Sequence, residues 1–128
     1  MRPPAGTPLF ALGDLTEPGA KGLSFGTPGQ MFEMILVRFE GHIMGFQNEC
    51  PHALTPLEFM PDKFFNREKT HLLCSTHGAQ FRPDDGLCVQ GPCKAKALKP
   101  VPLRLEGDQI VMGEDGGAHR LPVISNSA

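Results

Sequence analysis

The stretch from Cys50 to His77 constrains this chain most. It opens with Cys50-Pro51-His52 and closes with Cys74-Ser75-Thr76-His77, so two short segments each offer one thiolate and one imidazole across the spacer 53–73. Two cysteines and two histidines can hold a single tetrahedral zinc. A zinc finger, however, usually takes its cysteines from one loop and its histidines from another, and here each loop is mixed. Two mixed loops facing each other suit a centre with two metals and two kinds of ligand, each loop sending its sulfur to one metal and its nitrogen to the other.

The arrangement Cys-x-His, spacer, Cys-x-x-His resembles the Rieske family, whose [2Fe-2S] centre has cysteines on one iron and histidines on the second. The flanks of the motif agree. Gly78 follows the last histidine, and Phe81, Gly86, Gly91-Pro92, Leu98, Pro100 and Val101 resemble the glycine-proline segment that closes over a Rieske cluster. The resemblance runs from about Glu33 to Met112, with a spacer a few residues longer than is usual. It implies one [2Fe-2S] cluster held by Cys50, His52, Cys74 and His77, with the histidine pair near the surface as the edge through which electrons pass. It also implies the fold: an antiparallel β-sandwich with a smaller cluster-binding subdomain inserted between its strands. Periodicity alone supports only an all-β chain of many short strands. The remaining readings of the four residues are a structural zinc module and unrelated core thiols with surface imidazoles.

Fifteen glycines and thirteen prolines scattered between short apolar runs are consistent with that class. The expected organisation is a loose arm over 1–8, a Rieske domain over 9–113 with its cluster-binding part at 48–93, and a tail over 114–128. Pro3, Pro4 and Pro8 are expected to keep the arm out of regular pairing. Strands are predicted at Leu9–Leu12, Lys21–Phe25, Met31–Phe39, Ile43–Gln47, Thr70–Leu73, Gln80–Phe81 and Leu87–Val89, with a final hairpin of Val101–Glu106 and Gln109–Met112 about Gly107-Asp108. The 31–47 hairpin leads straight into Cys50. The tail, with one apolar patch over Leu121–Ile124, reads as free or as a strand added to a neighbouring subunit.

A formal net charge of −2, from 12 basic and 14 acidic residues, gives no case for nucleic acid. No apolar run reaches the length of a membrane span, and the first residues carry no apolar signal core, so the expected location is the cytoplasm. Reduced, partly buried thiols are expected for Cys88 and Cys93 in that compartment, a disulfide or a further metal site being the other readings. His42, His71 and His119 read as surface or packing histidines. The pair Phe64-Phe65 reads either as an anchor pinning the long loop or as a docking point for a redox partner.

Function follows from the resemblance and from what is missing. Oxygenase subunits that begin with a Rieske centre need a second, mononuclear iron held by two histidines and a carboxylate; residues 78–128 contain one histidine, His119. The expected role is therefore a non-enzymatic one-electron carrier, a ferredoxin between a reductase and a terminal oxygenase. The runner-up is the small Rieske subunit of an assimilatory nitrite reductase. High-potential members of the family carry a serine and a tyrosine where this chain has Ala79 and Phe81, and a disulfide between the positions of Leu54 and Thr76. Their absence predicts a low potential, because hydroxyl donors to the cluster sulfurs stabilise the more negative reduced state.

Overall fold

The apolar run Met34–Val37 lies at the centre of the molecule because both faces of its strand are covered. In the computed structural model, which describes residues 2–51, 57, 63–74, 78–91 and 96–123, the chain forms ten short strands in three antiparallel sheets. The strands are β1 (Pro8–Ala11), β2 (Gly19–Thr27), β3 (Gln30–Phe39), β4 (His42–Gln47), β5 (Leu72–Leu73), β6 (Gln80–Phe81), β7 (Cys88–Gln90), β8 (Leu103–Glu106), β9 (Gln109–Met112) and β10 (Arg120–Pro122). One sheet has the order β1-β9-β8, the second β10-β4-β3-β2 and the third β5-β6-β7.

Side chains alternate across a strand, so β3 sends Phe32, Met34 and Leu36 to one face and Ile35 and Val37 to the other. The first set joins Ile43, Leu103, Ile110 and Met112 in a core between the first two sheets. The second set joins Met44, Phe46, Leu72, Phe81 and Leu98 in a core beneath the third sheet. A strand buried on both sides reads as a continuous apolar run instead of an alternating one. The four-stranded sheet is thus the shared wall between a sandwich and the region that carries the cysteines.

The β3–β4 hairpin closes through Glu40-Gly41, with Phe39 paired to His42. Both turn residues have positive φ, 49° and 79°, the signature of the tight turn whose twist matches the flanking strands. The β8–β9 hairpin closes through Gly107-Asp108 with Glu106 paired to Gln109, as its sequence predicts.

Two expectations change at the chain ends. The first residues are not a loose arm: Pro8 opens β1 and pairs with Val111, while the Gly6 N–H donates to the Met112 carbonyl at 2.8 Å and the Thr7 carbonyl accepts the Met112 N–H at 2.9 Å. Proline is tolerated at the first position of a strand, which is where Pro8 stands. The tail likewise contributes β10, whose residues Arg120, Leu121 and Pro122 pair with Met44, Ile43 and His42 of the same chain. Beyond β10 the free edge of β4 is taken over by the segment 99–101, through Gln47 N–H to the Lys99 carbonyl and Val101 N–H to the Gly45 carbonyl. Ile124 lies outside the described residues. Among the described residues no helix is long and apolar enough to cross a membrane.

Candidate functional site

Cys50 stands three residues past the end of β4, and the chain there is tied on both sides. The Asn48 N–H donates to the Glu33 carbonyl of β3 at 2.9 Å. Its side-chain Oδ1 accepts the Leu57 N–H at 2.8 Å, spanning the loop that contains Cys50 and Pro51. Asn48 is 6% exposed and Leu57 fully buried, so this hydrogen bond is shielded from water. Losing a buried acceptor of this kind costs about 1–3 kcal/mol, which makes Asn48 the clamp of the first loop.

Cys74 follows β5 directly and is tied by its backbone to Gly78 and Ala79. Its N–H donates to the Ala79 carbonyl and its carbonyl accepts the Gly78 N–H, both at 2.8 Å. The chain therefore leaves at Cys74, returns at Gly78 and Ala79, and enters β6. One residue earlier, the Leu73 N–H donates to the Phe64 carbonyl at 2.7 Å. Phe64 is fully buried and Phe65 stacks on Phe39 with ring centroids 6.1 Å apart. Of the two readings of this aromatic pair, the structure has the one in which it pins its loop to the body.

Cys50 and Cys74 both have no exposed surface, and both belong to the same apolar cluster with Leu57, Phe64, Ala79 and Phe81. His52 and His77 lie outside the described residues, as does Cys93. Cys88 is in the same cluster, 1% exposed, with its thiol donating to the Gln90 carbonyl at 3.3 Å. Metal ligation uses thiolate, not thiol, and each of the two segments supplies one cysteine and one histidine. The donor chemistry of the two segments fits an iron–sulfur centre with mixed ligands.

The third sheet closes over the second loop. Gly91, at the end of β7, has φ of +106°, and a Cβ placed there would come within 2.7 Å of the Ala79 Cα. Gly86 is closely packed as well, against the body of the protein, since a Cβ there would meet the Phe46 ring at 2.9 Å. Gly91→Ala combines left-handed strain with a backbone clash, and we expect it to cost about 2–4 kcal/mol. Thermal unfolding of the holoprotein should show a lower midpoint and earlier loss of visible absorption; an unchanged midpoint would mean that β7 does not press on the second loop.

The turn between β6 and β7 carries the clearest electrostatic feature. The Arg82 Nε donates to Asp85 Oδ1 at 3.0 Å, and the same oxygen accepts the Leu87 N–H at 3.0 Å. The hydrogen bond from Arg82 is the main reason that the Asp85 carboxyl is held below its usual range. A depressed carboxyl stabilises above its ordinary pKa, and that support is lost as pH falls through the depressed value. The pair is exposed, so its contribution is small.

The other histidines behave as packing and surface residues. His42 Nδ1 lies 3.2 Å from the Glu40 carbonyl, and His71 Nδ1 lies 2.9 Å from Thr70 Oγ1. The His119 ring packs on Phe46 with centroids 5.4 Å apart. Sequence reasoning missed Asn48 and Asn66. The only signal was their residue type, since Asn readily bonds nearby backbone in loops.

A family model for the Rieske [2Fe-2S] domain matches residues 16–115. Among solved structures, the ferredoxin of carbazole 1,9a-dioxygenase from Nocardioides aromaticivorans IC177 superposes with a TM-score of 0.61 at 22% identity, covering 85% of this chain and 99% of that one. The Sphingomonas yanoikuyae B1 ferredoxin gives 0.61 at 17% identity, covering 84% and 96%. The terminal oxygenase of carbazole 1,9a-dioxygenase from Novosphingobium sp. KA1 gives 0.66 at 22% identity, over 87% of this chain but 29% of the oxygenase. No curated protein sequence matches the chain.

Proposed function

This chain belongs to the Rieske [2Fe-2S] domain family, and we propose that it is a one-electron carrier, a ferredoxin that takes electrons from a reductase and delivers them to a terminal oxygenase. The family's cofactor is one [2Fe-2S] cluster, which when bound supplies a one-electron couple in the range of roughly −150 to +300 mV. Cys50 and Cys74 are its sulfur ligands in this reading and His52 and His77 its nitrogen ligands, within a cluster-binding subdomain over 48–93.

The observation that carries the reading is that Cys50 and Cys74, both fully buried, belong to one apolar cluster and stand at the ends of two braced segments. Each precedes a histidine within three residues of sequence. The protein's part is positional. Leu57, Phe64 and Phe81 exclude water around the sulfurs, and the Asn48 and Ala79 hydrogen bonds hold the two segments with little freedom to rearrange. A site that moves little between two charge states loses little energy to reorganisation at each transfer.

The likeness to two ferredoxins, spanning 99% and 96% of their chains, supports the carrier reading. The chain is then a part of an oxygenase system, and the cytoplasm remains its proposed location. The test is an EPR spectrum of the dithionite-reduced protein followed by a redox titration. A rhombic signal from mixed histidine and cysteine ligation is expected. An EPR-silent protein that contains zinc by elemental analysis would replace the carrier with a structural metal module.

A further inference from the structure

The long loop between the two cysteines carries a basic groove that the ligand chemistry does not use. A cavity of about 380 Å³ opens between residues 16–20 and residues 63–69, and Lys63, Arg67 and Lys69 line it. All three are exposed. Among the described residues none of the three forms an ion pair, whereas Arg2, Arg38, Arg82, Lys99 and Arg104 each do. On a chain with a net charge of −2, uncompensated positive charge has been gathered in one place.

The rim is built, not incidental. Asn66, 8% exposed, uses its side-chain Oδ1 to accept the Thr70 N–H at 2.9 Å and the His71 N–H at 3.3 Å. Its backbone N–H donates to the His71 carbonyl at 2.9 Å, and its carbonyl accepts the Lys69 N–H at 3.0 Å. Lys69 is thereby held at φ of +60°, in the left-handed region. That turn fixes the bases of Arg67 and Lys69 on one side of the groove. Of the described acids near the groove, Glu17 is turned to Arg38 at 3.2 Å and to the Gly41 N–H at 3.0 Å, and Glu68 is exposed and not part of the lining, while Asp62, the acid next to Lys63, lies outside the described residues.

The floor of the groove reaches the cysteine side of the site. Phe64 and Phe65 line it. The Phe64 carbonyl accepts the Leu73 N–H at 2.7 Å and Phe65 is bridged to Leu72, so one hydrogen bond separates the groove wall from the residue before Cys74. We propose that this groove is a docking site for an acidic segment of a redox partner. The inference rests on the carrier reading above. Charge complementarity sets the occupant: a peptide bearing several carboxylates matches three cations around one cleft, and such contacts steer encounter and fix orientation.

The experiment titrates the oxidised holoprotein with a hexaglutamate peptide and follows backbone amide shifts by NMR, with visible absorption of the same sample reporting the cluster. Shifts are expected at residues 16–20 and 63–69. Lys63→Glu/Arg67→Glu should weaken binding about tenfold or more, while the matched pair Lys96→Glu/Arg120→Glu, of the same charge change, should not. The shifts should shrink in high salt, as screened contacts do. No shifts, shifts spread over the surface, or equal loss in both variants would overturn the proposal. So would binding of pyrophosphate in the groove with none of hexaglutamate, which would make it a small-anion site. Absence of the cluster absorption at the start would instead overturn the carrier reading and leave the groove measurement intact.

Discussion

Cys74→Ser is expected to abolish the [2Fe-2S] absorption and the reduced-state EPR signal while leaving most of the sandwich folded. Serine is smaller by little and can keep the backbone bonds of residue 74, whose N–H and carbonyl engage Ala79 and Gly78 at 2.8 Å. What it cannot supply is a thiolate, because a hydroxyl does not ionise at neutral pH in a site that has no exposed surface. The consequence for the fold is uneven. The core between the first two sheets, from Leu9 through Met34 and Leu36 to Met112, contains no proposed ligand. The third sheet consists of strands of two, two and three residues, too short to be stable without the packing they cover. Amide exchange should therefore stay slow in β3, β4 and β9 and become fast in β5–β7. Normal [2Fe-2S] absorption in the variant would remove Cys74 from the ligand set, and uniform loss of protection would show that the two cores do not fold separately.

The elements legible in the sequence are those whose information is local. The β3–β4 and β8–β9 hairpins announce themselves by apolar runs on either side of Glu40-Gly41-His42 and Gly107-Asp108; the second forms with the expected turn, and the first closes one residue tighter, with His42 paired to Phe39 as the start of β4. The placement of Cys50 after β4 and of Cys74 after β5 followed from the same reading. The missing elements depend on distant pairing. The apolar patch from Leu121 suggested at most a strand given to a neighbouring subunit; Arg120–Pro122, three residues long and ending in proline, is instead a strand of its own chain because β4 has an open edge at Met44, Ile43 and His42. Pro8 pairs because Val111 stands opposite it. The two-sided burial of Met34–Val37 was visible only as strong apolarity, since which core each side chain enters is decided by the third sheet. Asn48 and Asn66 are polar residues whose burial makes sense only once Leu57 and His71 are beside them.

Ala79→Ser with Phe81→Tyr is expected to raise the midpoint potential by about 100 mV. The Rieske resemblance assigns these two positions the hydroxyls that donate to cluster sulfurs in high-potential members. Here both side chains are fully buried, in the same apolar cluster as Cys50 and Cys74, and neither can donate a hydrogen bond. A reduced cluster carries one more negative charge than an oxidised one, so a donor stabilises the reduced form more and moves the potential upward. A hydrogen bond to a charged group differs between the two states by about 1–2 kcal/mol. For a one-electron couple about 1.4 kcal/mol corresponds to about 59 mV, giving roughly 40–90 mV for each hydroxyl. The sites differ in tolerance. Ala79 is fully buried with the Gly91 backbone packed closely against it, and serine adds one polar atom there, whereas tyrosine adds its hydroxyl at the far end of a fully buried ring; either hydroxyl must find an acceptor or carry the cost of burial. Each should therefore raise the potential only where it reaches a cluster sulfur, and a hydroxyl that does not should show instead as a lower unfolding midpoint. A redox titration of both single variants and the double variant separates these contributions. An unchanged or lower potential in Ala79→Ser would show that residue 79 does not reach a cluster sulfur, and would remove the low-potential expectation along with it.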